Sequence, residues 1–228
     1  MAVKSADLSE SADLAKESRL LKKFRNCPFI LNKYGSDVTE EDEGEKLFNV
    51  FLEYAQRGTI EGTIKTPRNF ELFEQHVRKY TLSVLKGLKY IHDKGFVHCD
   101  IKPANIFLVS NDPKDTGFGS YVAKIGDFGL AKRATKNNMV KRSEQIHGTG
   151  LYMSPEVSIQ NILEPLADIW ALGCSVLQML TGKRFWDFNT DLKDDWGFPI
   201  EIPIIPEEVN DEAEDFLGKC FIMNPLGT

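Results

Sequence analysis

The stretch His98-Cys-Asp-Ile-Lys-Pro-Ala-Asn-Ile-Phe-Leu108, followed later by Asp127-Phe-Gly129, decides the interpretation of this chain. It places a carboxylate at Asp100, a cation at Lys102 and an amide at Asn105 on one short segment, with a second carboxylate at Asp127. Phosphoryl transfer needs this inventory: a carboxylate to orient the attacking hydroxyl, a cation on the moving phosphate, and oxygen ligands for Mg²⁺. The tripeptide alone is a weak signal, but the joint pattern is specific.

The flanking residues predict how these groups meet. Apolar residues recur at steps of three and four over residues 73–91, which predicts one face of a long helix that stops at Gly95. Short strands are predicted at residues 106–109 and 121–125. Asn105 and the first carboxylate then lie on the loop between helix and strand, and the second carboxylate follows the next strand. A β-hairpin would bring all three together.

The order of elements predicts an α+β, bilobal fold. Residues 46–54 are typical of a strand, and a helical segment before them could be capped by Ser11. A second buried helix is predicted at residues 167–180. We therefore expect a small β-rich lobe over residues 1–56, a larger mainly helical lobe over residues 57–228, and a cleft between them.

Composition excludes several classes of protein. The chain has 228 residues, 42% of them hydrophobic, and carries 28 Lys+Arg against 34 Asp+Glu for a net charge of -6. This length and apolar fraction are sufficient for a hydrophobic core, which argues against disordered and fibrous classes. The mild acidity argues against a nucleic-acid partner. No apolar stretch is long enough to predict a membrane span, and the first residues lack a signal segment. Four widely separated cysteines indicate neither a disulfide framework nor a zinc site, so an intracellular location, cytoplasmic or nuclear, is expected.

These residues resemble the eukaryotic protein kinase family, whose catalytic loop is H-R-D-x-K-x-x-N and whose metal-binding motif is D-F-G. The resemblance implies ATP and Mg²⁺ as cofactors. It implies that Asp100 is the catalytic base and that Lys102 contacts the γ-phosphate, while Asn105 and Asp127 ligate Mg²⁺. A lysine two residues after the catalytic aspartate is typical of the serine/threonine branch, so a protein substrate with a Ser or Thr hydroxyl is expected.

The first residues resemble the same family. Met1-Ala-Val-Lys4 is similar to the strand V-A-I-K, which implies that Lys4 holds the nucleotide phosphates and pairs with Glu17 on the next helix. The segment from Glu53 to Ala55 resembles the hinge, where backbone groups of both residues would meet the adenine. The small lobe would then hold the family's third to fifth strands, its first helix and the hinge.

Two later segments extend the resemblance over nearly the whole chain. Residues 148–156 resemble the substrate-side end of the activation segment, and Asp168 begins a segment resembling the buried helix whose Asp anchors the catalytic loop. The motif sequences most resemble those of the MAP kinase kinase kinases, particularly those of plants. This resemblance implies a signalling cascade with a downstream MAP kinase kinase as substrate. His98 is expected to be a packed support for the loop, and His92 a surface residue.

The chain also departs from the family. It begins on the Lys4 strand, so we expect the kinase domain to be incomplete, without the first two strands and their glycine-rich loop. It stops before the Arg that pairs with the equivalent of Glu156, and an incomplete gene model, a splice form or a clipped chain would explain both ends. A second hypothesis is therefore a kinase-like interaction module with impaired catalysis. A third is a small-molecule phosphotransferase of the aminoglycoside type, against which Lys102 and Asp127-Phe-Gly129 argue.

Cys99 generates a prediction about regulation. It stands where most family members have an Arg that holds a phosphorylated activation segment through charge-assisted hydrogen bonds, which a thiol cannot supply. We expect activity that does not depend on that form of loop phosphorylation. Phosphate transfer by phosphorylated and phosphatase-treated protein tests this, and a large loss of rate after the treatment would contradict it.

Overall fold

The computed structural model describes residues 1–41, 44–65, 72, 74–111, 120–134, 150–160, 164–184 and 202–222. The described residues form seven strands: β1 (Ala2–Asp7), β2 (Lys33–Glu40), β3 (Lys46–Leu52), β4 (Phe96–Val97), β5 (Ile106–Ser110), β6 (Tyr121–Ile125) and β7 (Lys132–Arg133). The helices of the described part are α1 (Ala12–Phe24), α2 (Ile60–Ile64), α3 (Glu74–Asp93), α4 (Pro155–Gln160), α5 (Pro165–Thr181) and α6 (Asp211–Cys220). None of these helices is long and apolar enough to cross a membrane.

A three-stranded antiparallel sheet in the order β1–β3–β2 and helix α1 form the small lobe, which confirms the predicted α+β fold with a β-rich first part. Lys4 on β1 lies opposite Val50 on β3, whose side chain is fully buried. The sequence predicted that this strand ends at residue 54, but β3 ends at Leu52. The reason is that the Glu53 N–H leaves the ladder and donates to the carbonyl of Asn32.

Helix α1 begins where the sequence placed it, but the predicted cap is wrong. Ser11 occupies the N-cap position without accepting a capping hydrogen bond. Its hydroxyl donates instead to the carbonyl of Leu8 at 2.9 Å, closing the short 3₁₀ turn that precedes the helix. Asp7 caps that turn by accepting from the Ser9 N–H. The Ser11 hydroxyl, which was expected to cap helix α1, therefore stabilises the 3₁₀ turn between β1 and α1.

The long helix α3 and the β5–β6 hairpin match the sequence prediction closely. Helix α3 ends at Asp93, and Gly95 follows with a positive φ of 73°, where its N–H donates to the carbonyl of His92. Gly87 lets α3 approach the hairpin, because a Cβ atom there would lie 2.8 Å from the Ile125 side chain. The apolar face of α3 is fully buried, which accounts for the period of three and four residues.

Helix α5 is buried on all sides over residues 170–179 and lies in the hydrophobic core of the larger lobe. It extends from Pro165 to Thr181, slightly beyond the predicted bounds, and ends at Gly182 with a φ of 70°. Helix α6 crosses it at Gly173, where a Cβ atom would lie 2.7 Å from the Cys220 Cβ and 2.8 Å from the Phe221 ring. Only a residue without a side chain permits this close approach of the two helices.

This contact predicts the stability of two matched variants. Gly173→Ala should lower the free energy of unfolding by about 1–3 kcal/mol, because the added methyl group overpacks the α5–α6 contact. Gly218→Ala on α6 meets open space and should raise stability by up to about 1 kcal/mol through helix propensity. Chemical denaturation measures both, and a Gly173→Ala protein as stable as Gly218→Ala would contradict the packing argument.

Candidate active site

The catalytic loop brings together the three polar residues that the sequence singled out between helix α3 and strand β5. The Lys102 Nζ lies 2.9 Å from one carboxylate oxygen of Asp100 and 3.1 Å from the other. The Asn105 amide NH₂ donates to the Asp100 Oδ2 at 2.8 Å and to its backbone carbonyl at 2.9 Å. Because the NH₂ group is used in this way, the amide oxygen of Asn105 is the atom that can ligate a metal.

A buried carboxylate on helix α5 holds this loop from behind. Asp168 is 2% exposed and accepts from the N–H of His98 at 2.8 Å and from the N–H of Cys99 at 3.0 Å. Cys99 adopts a positive φ of 68°, a conformation that costs a non-glycine residue about 1–3 kcal/mol. The hydrogen bonds to Asp168 stabilise this turn, and Asp100 follows directly.

His92 and His98 both lie near Asp168, but only His98 lies where the sequence predicted. His92 was expected at the surface, but its Nε2 lies 2.8 Å from the Asp168 Oδ2, so that prediction is wrong. His98 is fully buried, as expected for a packed support. The Asp100 N–H donates to its Nδ1 at 3.3 Å and its Nε2 donates to the Gly126 carbonyl at 3.1 Å, a pattern that only the neutral ring satisfies. Burial correspondingly lowers the pKa of His98.

Asp127 lies at the end of the hairpin, facing the lysine of the small lobe. The Lys4 Nζ is 2.7 Å from the Glu17 carboxylate and 3.4 Å from Asp127 Oδ1, so the contact expected between β1 and α1 is present. Burial alone would lower the pKa of Lys4, but the hydrogen bond and charge of Glu17, with Asp127 behind them, raise it above its usual value. The lysine therefore carries a firm positive charge beside the carboxylate that is predicted to bind metal.

A cluster of buried rings, packed edge to face or tilted, joins α1 to the catalytic loop. The Phe128 ring is fully buried, with its centroid 5.3 Å from that of Phe24 on α1 and 4.8 Å from that of His98. Phe24 also contacts Phe96 edge to face at 5.5 Å. Edge-to-face and tilted pairs at these distances are favourable beyond the area that they bury. The Asp127-Phe-Gly129 motif is thus fixed by packing as well as by polar contacts.

The predicted hinge borders a cavity of about 460 Å³ that reaches from Ala55 to the polar cluster. Leu52, Glu53 and Ala55 line it together with Lys4 and Asp127. Beyond the hinge, Gly58 donates its N–H to the Ala55 carbonyl and turns the chain toward β5. The cavity size falls in the range of small-molecule sites.

The side chain of Glu53 has a partner that the sequence did not reveal. Its two carboxylate oxygens lie 2.8 Å and 2.9 Å from the Nζ of Lys124 on β6, and one of them also accepts from the Asn32 N–H at 3.0 Å. The side chains of Glu53 and Lys124 are 13% and 10% exposed. A lysine within an otherwise buried strand was the only signal that could have indicated this ion pair.

The cavity and its polar end fit a magnesium nucleotide. Asn105 and Asp127 supply one amide and one carboxylate oxygen, and Mg²⁺ is commonly bound by one or two such groups together with substrate phosphates. No cluster of three acidic, His or Cys ligands that could hold a metal without phosphates occurs in the described part of the chain. Gly126, next to Asp127, lies so close to Phe107 that a Cβ atom would come within 2.6 Å of the ring. The wall below the cavity is therefore closely packed.

The end of the activation segment is only partly visible. Gly148 and Thr149 lie outside the described residues, whereas Ser154 is fully buried and Pro155 begins helix α4. One carboxylate oxygen of Glu156 is buried and has no hydrogen-bond partner in the structure described. In place of the family's arginine, the Cys99 thiol lies 3.5 Å from the Val97 carbonyl, and burial raises its pKa strongly. The thiol is thus neutral and cannot act as an ionised group.

The small β-rich lobe and the larger helical lobe agree with the fold of a known family. The protein kinase domain family matches residues 1–226, and the chain belongs to that family. The division of the chain at residue 57 and the roles of the site residues in nucleotide binding stay predictions.

The chain is also similar to plant MAP kinase kinase kinases, which confirms the resemblance seen in the sequence. It is 42% identical over 99% of its length to mitogen-activated protein kinase kinase kinase 20 of Arabidopsis thaliana. It is 35% identical over 96% of its length to mitogen-activated protein kinase kinase kinase 17 of the same plant. The chain spans 65% of the length of the first relative and 57% of the second.

The ion pair between Glu53 and Lys124 predicts a large loss of stability on substitution. Lys124→Met should lower the free energy of unfolding by about 3–5 kcal/mol, because it leaves the Glu53 carboxylate buried without a cation. Lys219→Met removes an exposed pair with Asp215 and should change it by about 0.5 kcal/mol or less.

Chemical denaturation of both variants measures the difference. A double variant, Glu53→Gln with Lys124→Met, should recover part of the loss, because no uncompensated charge remains. Equal and small losses for Lys124→Met and Lys219→Met would show that the buried pair contributes no more than a surface pair.

Proposed function

We propose that this chain transfers the γ-phosphate of ATP to Ser or Thr hydroxyls of a protein substrate. The observation that carries the proposal is the way the six predicted polar residues meet. Four of them, Lys4, Glu17, Asn105 and Asp127, line one cavity. Lys4 forms an ion pair with Glu17 and reaches Asp127, and Asp100 contacts both Lys102 and Asn105. These residues come from four separate parts of the sequence, and a structural role alone does not require them to make these contacts.

Each group has a defined task in this mechanism. The carboxylate of Asp100 orients the acceptor hydroxyl and accepts its proton, while Lys102, held 2.9 Å from it, supplies positive charge where the phosphoryl group crosses. Asn105 and Asp127 would hold Mg²⁺, and Lys4 would hold the nucleotide phosphates while Glu17 keeps its ammonium in place. Magnesium, when bound, neutralises charge that develops on the phosphates. Backbone groups of Glu53 and Ala55 would bind the adenine.

The substrate class follows from the relatives and from the lysine in the catalytic loop. The relatives are named mitogen-activated protein kinase kinase kinases, so we propose a MAP kinase kinase as the acceptor protein and a MAP-kinase-type cascade as the setting. Four cysteines spaced without a metal or disulfide pattern support a reducing, intracellular location, cytoplasmic or nuclear. The acidic net charge supports a protein acceptor over a nucleic acid.

Radiolabelled phosphate transfer from ATP tests the proposal, with a generic protein and a catalytically inactive MAP kinase kinase as acceptors. Asp100→Asn should lower the rate by about 10²- to 10⁴-fold, the usual contribution of a positioned acid–base group. Asp127→Ala should reduce the signal to background, because it removes the carboxylate expected to hold the metal.

Asp215→Asn is the matched control, since this carboxylate is exposed on α6 and pairs with Lys219. It should transfer phosphate at the unsubstituted rate, and thermal unfolding of all variants checks that they are folded. Equal signals from Asp127→Ala and the unsubstituted chain would remove catalysis and favour the second hypothesis, a kinase-like interaction module. Transfer to aminoglycosides but to neither protein would favour the third.

A further inference from the structure

Lys16, to which the sequence analysis assigned no role, contacts the predicted metal-binding motif Asp127-Phe-Gly129. It precedes Glu17 on helix α1, and its half-buried side chain reaches the segment that follows strand β6. Its Nζ donates a hydrogen bond to the backbone carbonyl of Gly129 at 2.8 Å. Hydrogen bonds from a charged donor are roughly twice as strong as neutral ones. Lys16 therefore links α1 directly to the backbone of Asp127-Phe-Gly129.

The motif needs such a link because its first residue is strained. Asp127 has a positive φ of 59°, a conformation that non-glycine residues keep only when their surroundings hold it. The Gly129 N–H and the Lys4 Nζ each lie 3.4 Å from Asp127 Oδ1, near the outer limit for a hydrogen bond. Among the hydrogen bonds that the described residues make to Asp127-Phe-Gly129, the one from Lys16 is the shortest.

Each residue of the motif is connected to α1 in a different way. Asp127 is connected through Lys4 and its ion pair with Glu17, and Phe128 through its ring contact with Phe24. Gly129 is connected through Lys16. Because the first of these contacts is long and half-exposed and the second is apolar, only the third fixes a backbone atom of the motif to the helix by a short polar bond.

We propose that Lys16 is a positioning residue for Asp127, which holds the backbone of the metal-binding motif against helix α1 through the Gly129 carbonyl. The inference rests on the proposed function for the meaning of Asp127 as a metal ligand. Lys16 does not touch the reacting groups. It acts through Gly129, so its loss loosens the strained turn and lowers the fraction of molecules in which Asp127 is ready to bind metal.

Amide hydrogen exchange in the nucleotide-free protein tests the link without any catalytic readout. Lys16→Met keeps the chain length but removes the donor, and should raise exchange at residues 126–131 about tenfold, as expected for the loss of a hydrogen bond to a charged group. Lys16→Arg keeps a charged donor and should restore most of the protection. Lys22→Met, an exposed lysine on the same helix, is the matched control and should leave these amides unchanged.

The same variants then show whether the link reaches the metal. In phosphate transfer, Lys16→Met should raise the Mg²⁺ concentration needed for half-maximal rate severalfold, and Lys16→Arg should bring it back. Faster exchange in Lys16→Met with no phosphate transfer by any variant would support the link and refute the proposed function. Exchange in Lys16→Met that equals Lys22→Met, that rises equally across helix α5, or that Lys16→Arg does not restore would overturn the inference.

Discussion

The geometry of the active site depends on one buried carboxylate. Asp168, 2% exposed at the start of helix α5, accepts hydrogen bonds from two consecutive backbone N–H groups and from His92. Taking a carboxylate out of water is costly unless donors satisfy it, and these three donors do so. In return, the carboxylate stabilises the positive φ of Cys99, which turns the chain toward Asp100. The most buried helix of the larger lobe thus sets the position of the catalytic loop.

A second layer of contacts joins this loop to the small lobe. His98 hydrogen bonds to Gly126 and packs against the ring of Phe128, which in turn contacts Phe24 on α1. Helix α1 also presents Glu17 to Lys4. A displacement of α1 would therefore disturb the rings and the ion pair together, because close-packed interiors transmit strain. The Glu53–Lys124 pair ties the predicted hinge to β6, the strand that precedes Asp127-Phe-Gly129.

The sequence predicted regular elements better than it predicted partners. Helix α3 followed from apolar spacing because one of its faces is buried, and the β5–β6 hairpin followed from two short apolar runs. Ser11 failed as a cap because a local turn competed for its hydroxyl. His92 was assigned to the surface, since nothing near it in the chain shows that Asp168 packs against it. The sequence did not predict Lys124 as the partner of the Glu53 side chain, because the resemblance to the hinge assigns a role only to the Glu53 backbone.

What the sequence by itself determined is the set of polar groups: the carboxylates, the lysines and the amide of the protein kinase motifs, at spacings that local structure places in loops and at strand ends. Apart from the Lys4–Glu17 pair, which the resemblance implied, the tertiary structure decided which of them meet. Lys4 reaches Asp127, Lys16 reaches Gly129 and Glu53 reaches Lys124 across long separations in the chain. Periodicity reports only which face of an element is buried, whereas a hydrogen bond between distant residues depends on how whole elements pack. For that reason the groups could be predicted one by one, and the family resemblance added the Lys4–Glu17 pair, but the contacts of Lys16 and Lys124 could not be predicted.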